Sequence, residues 1–135
     1  MQIERARESL HAATLCLEAG FVNSAASRAF YAMFQSAQVA LARVGVNRPM
    51  WSHPALQAAL TTELIHRRKL LPAQLRDYLS SGLAVRHAAD YGRAGISLKV
   101  AERIVRRAGE FMRAVDPREA IVTHAAGVRA IVTAE

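Results

Sequence analysis

An all-α fold is predicted by three features of the chain. Apolar residues recur at three- and four-residue steps along most of its length, the spacing of one helix face. The four prolines, Pro49, Pro54, Pro72 and Pro117, each fall where such a pattern begins or ends. Hydrophobic residues make up 52% of the 135 and charged residues 21%, the balance of a chain that packs a core as one domain without disulfide or metal staples.

The elements follow in order. Ile3, Ala6, Leu10, Ala13 and Leu17 draw the apolar stripe of a first helix, and Gly20 is a natural C-terminal stop. Residues 22–44 form a longer, more apolar segment. Its Ala25, Ala29, Ala32, Ala37 and Ala40 permit close helix approach on more than one side, which predicts the central helix. The run from Asn47 to Pro54 cannot stay helical. Ser52 or His53 precedes a proline suited to a first helical turn, and a third helix runs from there to about Arg68. Pro72 opens a fourth, whose core stripe is Leu75, Tyr78, Leu79, Gly82 and Leu83 and which Gly92 with Gly95 ends. Ser97 caps a fifth, with Ala101, Ile104, Ala108, Phe111, Met112 and Val115 on one side and Lys99, Arg103, Arg106, Glu110 and Arg113 on the other. Asp116-Pro117-Arg118-Glu119 reads as a further helix start. The β-branched tail from Ile121 to Val132 suits a short strand pair equally well. The chain therefore divides into a helical bundle over 1–115 and a C-terminal extension over 116–135.

Bulk chemistry narrows the function classes. Cys16 is the only cysteine, so no internal disulfide forms. No run of about 18 apolar residues and no signal-like start occurs, which predicts a cytoplasmic protein without membrane contact. The net charge of +7 is carried almost wholly by arginine, since the only lysines are Lys69 and Lys99. Arginine grips phosphate and stacks on bases better than lysine, so an acidic partner is favoured; a codon bias toward arginine at ordinary surface positions is the plain alternative. The histidines at 11, 53, 66, 87 and 124 show no metal-ligand spacing with one another or with Cys16, so no metal site and no cofactor is predicted. A phosphate-cradling glycine loop and a nucleophile-elbow serine are both absent from the sequence. The run His66-Arg67-Arg68-Lys69 reads as a solvated helix end, with a nucleic-acid contact as the alternative.

Two stripes carry the chemistry. On the fourth helix, Gly82, Arg86 and Asp90 step by four, so opposite charges extend a stripe that is apolar as far as Leu83. An exposed pair of this kind contributes only about 0.3 kcal/mol. The order is also unfavourable, because an acid near a helix C-terminus faces the negative end of the dipole. A cleft or interface accounts for the pair better than an idle surface. On the second helix, Ser24, Arg28, Tyr31, Gln35 and Gln38 share one face, where Arg28 sets a phosphate donor beside the stacking ring of Tyr31. The alternative is that this face is simply the helix's solvent side.

Three separated runs then resemble a known family. Ala26-Ser27-Arg28-Ala29-Phe30-Tyr31-Ala32-Met33-Phe34, Ser52-His53, and Arg86-His87-Ala88-Ala89-Asp90-Tyr91-Gly92 are similar, in this order, to signatures of the HEPN (higher eukaryote and prokaryote nucleotide-binding) domain, in a branch of small proteins. The resemblance implies an up-and-down bundle of four to five helices, commonly a homodimer. It also implies company, since such domains are often encoded beside, or fused to, a minimal nucleotidyltransferase. Many HEPN domains are metal-independent ribonucleases in which an arginine is followed, after a gap of several residues, by a histidine. Arg86 matches that arginine, but positions 91 to 93 hold Tyr91, Gly92 and Arg93. Tyrosine does not replace histidine as a neutral-pH proton shuttle, its unperturbed pKa being about 10 against about 6.5. His87 does not restore the arrangement, because adjacent helix residues point about 100° apart.

The leading expectation is thus a binding module in which Arg28, Tyr31, Ser52, Arg86, Asp90 and Tyr91 hold a nucleotide or RNA phosphate. It would act with little or no catalysis, as partner of a nucleotidyltransferase in a toxin and antitoxin or defence system. One rival is a metal-independent endoribonuclease with Arg86 and His53 as the catalytic pair; another is a structural adaptor between proteins.

Overall fold

The computed structural model describes residues 3–117. It is a bundle of α1 (Ile3–Glu18), α2 (Val22–Arg43), α3 (His53–Ala59), α4 (Gln74–Tyr91) and α5 (Leu98–Val115), with α3 continuing into a π-helical segment, Leu60–Arg67. No strand occurs among the described residues. No helix there is long and apolar enough to cross a membrane. The new helix start read at Asp116 to Glu119 and the strand-or-helix tail beyond it fall, past Pro117, outside the described residues.

The second helix is the axis of the molecule, because it alone packs against every other element. Its alanines make this possible: Ala25, Ala26, Ala29, Ala32 and Ala37 are wholly buried, on more than one side. The large side chains Phe30, Met33 and Leu41 of α2 pack with Leu56, Leu60, Leu64, Leu75, Phe111 and Met112 into one continuous core. Burial of this apolar surface is the dominant stabilising term. Polar ties close the ends of the bundle. Arg7 of α1 pairs with the buried Asp116 at 3.0 Å, and the Arg43 Nη1 donates to the Val115 carbonyl at 2.7 Å. Asp116 thus ends α5 with its carboxylate engaged on α1.

Two caps stand where the sequence predicts. Ser52 Oγ accepts the Ala55 amide and Ser97 Oγ the Val100 amide, each at 3.2 Å. Two boundaries differ. Helix α4 begins at Gln74 rather than Pro72, whose carbonyl instead accepts the Leu75 amide in a preceding turn. The third helix does not run as α-helix to Arg68 but widens at Leu60. Near that point the Thr61 hydroxyl donates to the Gln57 carbonyl at 2.9 Å, competing with the backbone for an acceptor.

Candidate functional site

The groove lies where the start of α2 meets the end of α4. Antiparallel packing brings these two ends together, and Asn23 secures the loop beyond α4, its Oδ1 accepting the Ile96 amide at 3.0 Å. Asn23, Ser24, Ser27, Arg28 and Tyr31 form one wall and Ala89, Asp90 and Tyr91 the other, around a volume of about 670 Å³. Such a volume is within the range of small-molecule sites. The first turn of α2, which has no side-chain cap, contributes Asn23 and Ser24 to the groove wall.

Arg86 stands behind this groove rather than lining it. Its Nε donates to the Asp90 Oδ2 at 3.2 Å, and its guanidinium lies over the Tyr31 ring, 4.9 Å from the centroid. Only 16% of the Arg86 side chain and 27% of the Asp90 side chain are exposed, which sets the pair apart from a solvated surface bridge. Ser27 Oγ donates to the same Asp90 oxygen at 3.4 Å. Arg28 is exposed and makes no hydrogen bond or ion pair among the described residues, so its cation is open to a ligand.

The polar stripe on α2 divides. Ser24, Arg28 and Tyr31 reach the groove, while Gln35 turns to Ser9 of α1, 2.7 Å away. Tyr91 lines the groove, mostly exposed, with its ring 6.0 Å from that of His87. Ser52 is a helix cap and does not line it.

His53 occupies a separate, largely apolar cavity of about 160 Å³, lined by Phe30, Phe34, Pro54, Gln57, Leu79, Ser80 and Leu83. Its ring sits edge-on to Phe30 and Phe34, with centroids 5.3 and 4.8 Å away, and its Nδ1 is buried without a partner. Burial, then the charge of Arg86, then His87, hold its pKa below the ordinary 6.5, so the neutral ring is favoured. Phe30 is the partition between the two regions, since the Arg86 guanidinium also lies 5.9 Å from its centroid.

Asn23 and Ser27 are the groove residues that sequence reasoning passed over. Their signal was present: Asn23, Ser27 and Tyr31 step by four along α2, a second polar row beside the one identified. Among the described residues no group of three His, Cys, Asp or Glu side chains gathers as metal ligands.

Comparison with known proteins adds one finding. A family model described as HEPN domain matches residues 1–119. No curated protein matches the chain.

Proposed function

The chain belongs to the HEPN domain family, and from that premise we propose that it binds a phosphate of a nucleotide or RNA strand in the α2–α4 groove, with little or no catalysis. The observation that carries this reading is the state of Arg86. Asp90 holds its Nε and Tyr31 supports its flat face, so the guanidinium is oriented in advance behind the groove wall, while its Nη groups make no hydrogen bond among the described residues. A pre-oriented guanidinium loses less freedom on gripping a phosphate than a mobile one. Arg28 supplies a second cation on the groove wall, and Tyr31 and Tyr91 supply rings for a base.

The ribonuclease reading has one observation in its favour: His53 is held neutral, partly by the charge of Arg86, as a general base needs to be. Against it, His53 is packed between two phenylalanines in a different cavity from the groove. The binding reading also has the protein act as a homodimer, alongside a nucleotidyltransferase in a toxin and antitoxin or defence system. Sedimentation and co-purification test those assemblies.

The reading is tested by fluorescence anisotropy with a labelled single-stranded RNA, followed by a gel of the same RNA. Arg86→Ala and Arg28→Ala should each weaken binding about tenfold or more, as expected for charge-assisted contacts. Affinity should fall with salt, with a slope of about −0.7 per phosphate neutralised, and each variant should flatten it. The RNA should remain intact. Cleavage by the wild type that is lost in both Arg86→Ala and His53→Ala, with helicity retained, would instead establish the ribonuclease.

A further inference from the structure

Asp90 orients Arg86 through one carboxylate oxygen, Oδ2, and that role leaves its other oxygen unused. A carboxylate beside the cations weakens the attraction of any anion. Its place is also poor for the stability of α4, because it lies in the last turn, at the negative end of the helix dipole. Its contacts with the protein come from Arg86 Nε at 3.2 Å and from Ser27 Oγ at 3.4 Å. Both fall on Oδ2, and among the described residues Oδ1 accepts nothing. One wall of the groove thus offers the cation of Arg28, and the other offers a free carboxylate oxygen.

The ligand that complements both walls carries an anion and a hydrogen-bond donor on one small framework. A nucleotide does so through its phosphate and its sugar hydroxyls, with its base available to Tyr31 or Tyr91. Resting on the phosphate-binding reading above, we infer that the groove selects ribonucleotides over deoxyribonucleotides, with Asp90 Oδ1 accepting from the 2′-hydroxyl. The 2′ position is the one that serves both sources of this chemistry. Within a strand the 3′ oxygen is esterified, so only the 2′-hydroxyl remains a donor in a free nucleotide and in RNA alike.

Calorimetry with AMP and 2′-deoxy-AMP, on the wild type and on Asp90→Ala, tests the inference. The wild type should prefer AMP by about tenfold or more, the usual effect of a hydrogen bond to a charged group. In Asp90→Ala the ratio should fall to about one, even where the release of Arg86 weakens the binding of both nucleotides. An RNA and a DNA pentanucleotide of one sequence identify the source: discrimination seen only there marks a strand as the ligand, and discrimination with AMP marks a free nucleotide. Equal affinity for ribo and deoxy forms in both pairs overturns the inference while leaving phosphate binding in place. Discrimination that survives in Asp90→Ala overturns the role of Asp90. Failure of the wild type to bind any of the four probes overturns the phosphate-binding reading and this inference with it.

Discussion

His53 shows most clearly how one side chain's surroundings decide its chemistry. Its place before a proline at a helix start is visible in the sequence; its burial is not, because Phe30 and Phe34 come from a different helix. The pKa held below 6.5 means that the unfolded chain takes up a proton at a higher pH than the folded one. Stability from this residue is therefore complete above about pH 6.5 and declines as pH falls from there through the lower folded value. An NMR titration should give His53 a midpoint below 6.5, and His53→Phe should remove its share of the acid sensitivity. That variant should also be as stable as the wild type or more so, since it replaces a ring with an orphaned buried nitrogen by an apolar one of similar shape. His53→Ala, which opens a cavity, should lose about 2–4 kcal/mol. A loss as large in His53→Phe would mean that Nδ1 has a partner essential to the fold.

The helices themselves were legible because their apolar stripes and serine caps are local signals. The π-helical widening after Ala59 was not, since one threonine hydroxyl competing for a carbonyl leaves no periodic trace. The groove was half legible: Arg28, Tyr31 and Asp90 were found as stripes, whereas the use of Asn23 and Ser27 depends on which loop and which carboxylate pack against them. The contact between α4 and α2 also has a measurable tolerance. A Cβ added at Gly82 would meet the terminal methyl of Met33 at 2.6 Å and a ring carbon of Phe30 at 3.4 Å. Met33 ends in a flexible thioether, and alanine gains about 1 kcal/mol over glycine within a helix. Thermal unfolding of Gly82→Ala should therefore match the wild type to within about 1 kcal/mol. Gly82→Leu should lose at least about 2 kcal/mol, because its larger side chain also meets the Phe30 ring. Equal tolerance of both would mean that the helices are not in close contact at this point.

For the whole molecule, the decisive question is where its positive charge meets a ligand. The net charge of +7 does not answer it, because Lys99, Arg103 and Arg106 form an exposed basic row on α5, apart from the groove where Arg28 lies. Composition was legible in the sequence, but its distribution depended on how α4 and α5 return along α2. Enclosure separates the two surfaces: Arg28 lines a groove backed by Arg86, which Asp90 and Tyr31 hold, whereas Lys99, Arg103 and Arg106 stand exposed on one helix face, Arg106 4.0 Å from Glu110. Amide chemical-shift mapping of isotope-labelled protein during titration with AMP tests this account most directly. The predicted result is a saturable set of shifts confined to Asn23–Tyr31 and Arg86–Tyr91. Shifts centred on Lys99, Arg103 and Arg106, or no saturable shifts at all, would contradict it.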